Sequence, residues 1–290
     1  MRLSTVILPL ERWTQSKGKW RRAEELGFHT AYTYDHLSWP RFYDRPWFAS
    51  IPTLSAASGV TTTMRLGTLV TTPNFRHPVP LAKELLSLDD LCDGRLTIGI
   101  GAGTFNDDAT VLGTVAWTAK ERMDRTVDFV ELLDVLLREP LTTREGPFYS
   151  AHEARMLPGT VQRPRPPFCI AATGPRGMNL VARLGQSWVS TGRSAKDNAT
   201  CHDVITAELA RLDAALDEAQ RPSDSVDKVL LDGLNSEKPL TSLDAFVDWA
   251  GRYQDLGITD LVIHWPVPDS LYAVDADLFE RIATEGLAQL

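Results

Sequence analysis

An aspartate and a histidine, Asp35-His36, stand directly after an apolar run at residues 30–34, and Trp39 follows three residues on. Histidine has an ordinary pKa close to neutrality, so it takes up and returns protons without help from its surroundings. A carboxylate beside it orients the ring; taken alone, Asp35 serves equally well as a cap for the next segment. Similar polar stretches follow four more apolar runs: Thr71-Thr72-Pro73-Asn74-Phe75-Arg76-His77-Pro78, Gly101-Ala102-Gly103-Thr104-Phe105-Asn106-Asp107-Asp108, Thr173-Gly174-Pro175-Arg176-Gly177 and Ser190-Thr191-Gly192-Arg193. Thr173-Gly174 leads into a helical pattern, whose first amides and the guanidinium of Arg176 together suit an anion. Each stretch has a bland reading as a turn, since glycine there also serves positive φ. Their coincidence at one end of five runs is the informative feature, because the opposite ends, such as Gly27-Phe28-His29 and Asp93-Gly94-Arg95, carry no such chemistry.

Five loops converge only if the runs before them are parallel neighbours. Eight β-type runs are readable, at residues 3–8, 30–34, 66–71, 96–100, 168–172, 187–191, 228–231 and 261–265. Helical patterns follow them, at 16–26, 47–58, 79–91, 121–138, 177–184, 195–219, 243–255 and 276–287. Gly27 stops the first helix, and Thr118 with Glu121 forms a capping box for the fourth. This alternation predicts an α/β protein, a single (β/α)₈ TIM barrel over residues 1–290, with its chemistry at the C-terminal ends of the strands. A proline-rich excursion without strong periodicity, residues 140–167, follows the fourth βα unit and is expected to form a lid over the substrate.

Composition narrows the functions. A net charge of -8 argues against nucleic acid as a partner, since phosphate binding wants a basic face. Cys92, Cys169 and Cys201 are odd in number and widely spaced, which predicts neither disulfides nor a metal site. No apolar stretch approaches a membrane span, and the first residues do not read as a signal peptide, so the expected location is cytoplasmic.

The chain resembles the luciferase-like monooxygenase superfamily over nearly its whole length. The resemblance is carried by Ala23 to Phe28 leading to Tyr34-Asp35-His36, and by Leu66-Gly67-Thr68 leading to Pro73 through Pro78. It continues in Leu88-Asp89-Asp90 before Gly94-Arg95-Leu96, in Gly99-Ile100-Gly101-Ala102-Gly103, and in Gly174-Pro175-Arg176-Gly177 before Ala182-Arg183-Leu184-Gly185. Asp35-His36 with a tryptophan just beyond is similar to the branch that uses coenzyme F420, a deazaflavin that carries hydride. The other branch uses reduced FMN with oxygen.

The resemblance implies a homodimeric oxidoreductase that passes hydride between F420 and a small or medium organic substrate. An FMN-dependent monooxygenase is the alternative, and a non-catalytic cofactor-binding barrel or heterodimer subunit a second one. It implies His36 as proton donor or acceptor, with Asp35 bonding the cofactor or positioning His36. Val70, Thr71 and Thr72 would meet the ring, with a cis bond at Leu69-Val70 or Val70-Thr71. Ala102, Gly103 and Asp107 would line the ribityl and pyrimidine side, and Thr173, Gly174, Arg176 and Gly177 would take the phosphate. Trp39, Trp47, His77 and Arg193 would face substrate, within an aromatic mouth that also holds Phe42, Tyr43 and Phe48. Three features depart from the F420-dependent sugar-phosphate dehydrogenases: Thr104 replaces a glutamate, Trp39 comes one residue early after His36, and the phosphate-gripping lysines are not evident. A sugar phosphate is accordingly not the expected substrate.

Overall fold

The computed structural model describes residues 1–103, 106–193, 200–233 and 237–290. All eight expected strands form: β1 (Arg2–Val6), β2 (Thr30–Thr33), β3 (Arg65–Thr71), β4 (Leu96–Gly101), β7 (Phe168–Ala171), β8 (Ser187–Ser190), β9 (Asp227–Leu231) and β10 (Asp260–His264). They close into one barrel in the order β1-β10-β9-β8-β7-β4-β3-β2, with every pair parallel. Two strands unforeseen in the sequence, β5 (Leu141–Arg144) and β6 (Ala151–Arg155), make a separate antiparallel hairpin.

Side-chain alternation explains the closure. Ile98, Ile100, Phe168, Ile170, Leu261 and Ile263 face outward into the core shared with the helices. Their neighbours Cys169, Val229, Val262 and Val6 face inward, where they pack with Tyr32 and Leu69. The outer ring contains α1 (Trp13–Glu25), α2 (Ser50–Ser58), α3 (Pro78–Leu91), α4 (Asp107–Val111), α5 (Ala119–Arg138), α6 (Pro175–Leu184), α7 (Cys201–Glu218), α8 (Leu243–Asp255) and α9 (Ala276–Arg281). The capping box at Thr118 is present, and Gly27 takes a φ of +83° just past α1. The start expected for the sixth helix, residues 195–199, lies outside the described residues. Among the described residues, no helix is long and apolar enough to cross a membrane.

One irregularity shapes the site. Between β3 and β4 the register runs from Thr68↔Ile98 to Thr71↔Ile100, so β3 carries one residue more than its partner. The peptide bond Leu69-Val70 is cis, the first of the two positions expected. The bulge needs a glycine opposite: a Cβ on Gly99 would lie 2.0 Å from the Thr68 carbonyl oxygen.

No residue of the excursion, where a lid was expected, lines the cavity at the strand ends. Its hairpin clamps α5 and α3 from outside. Asp128 accepts from the Phe148 and Tyr149 amides at 2.9 and 2.8 Å, and Arg165 donates to Asp134 at 2.6 Å. Lys83 of α3 donates to the Arg155 carbonyl at 2.6 Å. Buried carboxylates and short polar contacts bind the segment to the barrel wall.

Candidate active site

At the C-terminal ends of the strands lies a cavity of about 660 Å³. β2 delivers Tyr34, His36 and Trp39 to one side of it, and the β3 bulge delivers Leu69 and Val70. The three rings of the β2 loop support one another. Trp39 packs on His36 at 4.7 Å between centroids and meets Tyr34 edge-on at 5.2 Å.

His36 is held by a residue that the sequence reading passed over. Its Nδ1 pairs with Asp108 Oδ2 at 2.6 Å, and Asp108 Oδ1 accepts from the Leu37 amide at 2.7 Å. A carboxylate only accepts, so the network assigns a proton to Nδ1, and in the neutral imidazole Nε2 is the bare nitrogen. Trp47 Nε1 donates to the His36 carbonyl at 2.9 Å. The imidazole is therefore fixed in place and tautomer, and it borders the cavity.

Asp35 is absent from the cavity lining. Its side chain turns away from the cavity and is buried, accepting from Ser50 Oγ at 2.6 Å and from Arg76 Nη2 and Nε at 2.8 and 3.1 Å. Those partners satisfy the carboxylate within the loop scaffold. It ties the β2 loop to α2 and to the β3 loop, and the positioning of His36 falls to Asp108.

Among the other expected residues, Val70, Ala102, Gly103, Thr173, Gly174, Arg176, Gly177 and Trp39 all line the cavity. Seven do not. Thr71 and Thr72 are fully buried, and Thr72 Oγ1 accepts from the Asn74 amide at 3.2 Å. Asp107 accepts from the exposed Tyr43 hydroxyl at the rim. Trp47 acts through the His36 carbonyl, as above. His77 caps α3, its Nδ1 accepting from the Val79 amide at 3.2 Å. Arg193 is exposed outside the lining, and Thr104 lies outside the described residues.

The part of the cavity lining that α5 and α6 supply carries three cations, Lys120, Arg122 and Arg176. Lys120, Arg122 and Met123 line it from the first turns of α5. The sequence reading missed these residues, although a helix following a barrel strand starts at the same face as the site. Arg176 and Lys120 both pair with Asp124 of α5, the latter at 2.9 Å. α6 begins beside them at Gly174, whose N-cap position makes no side-chain hydrogen bond, so its first amides are uncapped by side chain. Ser190 borders the cavity and donates at 2.5 Å to Glu208, whose carboxyl burial pushes up to about 7.

A family model described as luciferase-like monooxygenase matches residues 7–231. A Beutenbergia cavernae protein named F420-dependent glucose-6-phosphate dehydrogenase is 29% identical over 314 residues, covering 92% of this chain and 90% of that protein. A protein of the same name from Microbacterium testaceum is 30% identical over 216 residues; the match covers 72% of this chain and 60% of the relative's length. Among solved structures, the coenzyme F420-dependent tetrahydromethanopterin reductase from Methanopyrus kandleri matches with a TM-score of 0.78 over 99% of both chains. At 18% identity, that is a likeness of fold.

Proposed function

The chain belongs to the luciferase-like monooxygenase family, and on that premise we propose that it is an oxidoreductase that moves hydride between coenzyme F420 and a carbon of a small or medium organic substrate. The observation that carries this reading is one cavity lined both by an imidazole anchored on Asp108, His36, and by the cations Lys120, Arg122 and Arg176. The names of the relatives described above support F420 as the cofactor.

The residues present fit that group. Gly101 and Gly103 keep one wall thin: a Cβ on Gly101 would meet Val70 Cγ2 at 2.7 Å, and one on Gly103 would meet Asn74 Nδ2 at 2.3 Å. A Cβ on Gly174 would meet nothing within 4 Å, so the start of α6 opens freely onto the cavity. Leu69, Val70, Ala102 and Gly103 would hold the ring side, and Thr173, Gly174, Arg176, Gly177 and Lys120 the phosphate side. F420 supplies a carbon centre that accepts or gives hydride.

The chain's own residues handle the proton. With Nδ1 engaged by Asp108, His36 offers Nε2 to the substrate oxygen, accepting a proton when an alcohol is oxidised and returning it when a carbonyl is reduced. Tyr34, Trp39 and Leu69 exclude water from that end. Because the cations of the lining gather at the phosphate side, the aromatic side favours a neutral, largely apolar substrate over a sugar phosphate. Titration with F420 and with FMN tests the assignment: deazaflavin fluorescence should be quenched on binding and FMN should not bind. Binding of FMN without F420 would overturn it.

A further inference from the structure

The three cations that line the cavity are steadied in two different ways. Arg122 is held by neutral oxygens: its Nη1 donates to the Trp117 carbonyl at 2.7 Å and to Asn106 Oδ1 at 3.4 Å. Lys120 and Arg176 instead share one carboxylate. Asp124 Oδ2 accepts from Lys120 Nζ at 2.9 Å, and Oδ1 accepts from Arg176 Nη2. Asp124 itself is absent from the lining. The bonds from Lys120 and Arg176 hold its carboxyl below the ordinary carboxylate range, so it keeps its charge at working pH.

The carboxylate is not needed to place these cations. Lys120 is the second residue of α5 and Arg176 the second of α6, so each backbone is set by its helix, and the capping box at Thr118 fixes the start of α5. Nor is it needed to join the helices. Seven residues further along each of them, Arg183 donates to Glu131 at 2.8 Å in the same kind of bridge, and neither of that pair lines the cavity. What sets Asp124 apart is that it places a negative charge against two of the three cations of the lining. The side chains of Lys120, Arg176 and Asp124 are 80%, 51% and 22% exposed. Ion pairs this open hold together weakly, so an arriving anion displaces the carboxylate at little cost.

We propose that Asp124 is a resident counter-anion of this subsite, a positioning residue that occupies Arg176 and Lys120 in the empty cavity and yields Arg176 to the phosphate oxygens of an incoming ligand, lowering affinity and speeding release. The guanidinium is then paired with an anion in both states, and only the partner changes. The inference rests on reading these residues as the phosphate side of an F420 site. One opposing charge at about 6 Å from a ligand anion, partly screened by water and salt, lowers affinity roughly threefold to tenfold.

Asp124→Asn removes the charge and keeps the shape, and F420 and inorganic phosphate at fixed ionic strength are the probes. Fluorescence quenching for F420 and calorimetry for phosphate should each show binding about threefold or more tighter than wild type, with F420 dissociating more slowly in stopped flow. Asp124→Glu, which restores the charge, should return to within about twofold of wild type. Glu131→Gln removes the same charge from the same pair of helices away from the cavity, and it should also stay within about twofold. A residue that merely braces Arg176 predicts the opposite sign, since a loosened guanidinium binds more weakly. Unchanged or weaker binding of both probes to Asp124→Asn overturns the proposal, as does equal tightening in Glu131→Gln or a failure of both probes to bind. If Asp124→Asn does not fold, Asp124→Ser takes its place in every comparison. Phosphate that binds tighter to Asp124→Asn, with F420 bound by neither protein, sinks the cofactor assignment alone.

Discussion

Replacing Asp108 by asparagine changes one atom and reverses the logic of the histidine it holds. In the wild type both carboxylate oxygens accept, one from His36 Nδ1 at 2.6 Å and one from the Leu37 amide at 2.7 Å. An amide has one acceptor and one donor group. If its oxygen keeps the Leu37 amide, its NH₂ faces Nδ1, which must then be bare, and the imidazole proton moves to Nε2. The base then presents a hydrogen where it should present a lone pair. Loss of general-base action of this kind lowers turnover by roughly 10²–10⁴-fold. The Asp108 side chain is only 3% exposed, and loss of the charge-assisted bond costs about 1.5–3 kcal/mol of stability. F420 affinity should change by less than about threefold, because Asp108 is outside the cavity lining. F420 reduction followed by absorbance, a fluorescence titration and the ¹⁵N tautomer of His36 report these three quantities separately. Turnover within about threefold of wild type, with Nδ1–H retained, would refute the reasoning.

Two further predictions address the scaffold. Gly99→Ala forces a Cβ against the Thr68 carbonyl, so the bulge must shift, and thermal denaturation should show a loss of about 1–3 kcal/mol or more; an unchanged melting temperature would contradict the stated close approach. Glu208 has a folded pKa of about 7 against an ordinary 4.5, so its contribution to stability is complete below about 4.5 and is lost as pH rises through 7. Glu208→Gln should therefore gain on the wild type by about 1–3 kcal/mol between about pH 5 and about pH 8, read from paired melting curves. A constant difference across that range would count against the buried-acid assignment.

The eight strands were legible because each is a short apolar run bounded by turns, and the helices between them leave little choice of topology. The loops that carry chemistry were legible for the same reason, since strand direction alone puts them at one end. Side-chain direction within the loops was not. An extra residue before Thr71 changes the parity of the strand end, and nothing local in the run announces it. The partner of Asp35 was not legible because Arg76 is 41 residues away, an interaction that neighbouring residues do not signal. Asp107 and Asp108 are adjacent, and only the orientation of the five-residue α4 decides that the second one meets His36. The hairpin was missed because its strands are four and five residues long and largely exposed, so no apolar period marks them.

Placing the hairpin against α3 and α5 has a kinetic meaning. A segment clamped to the flank by Asp128 and Arg165 does not have to swing aside for a molecule to reach the cavity. Entry at the barrel mouth then does not require Asp128 or Arg165 to release that segment.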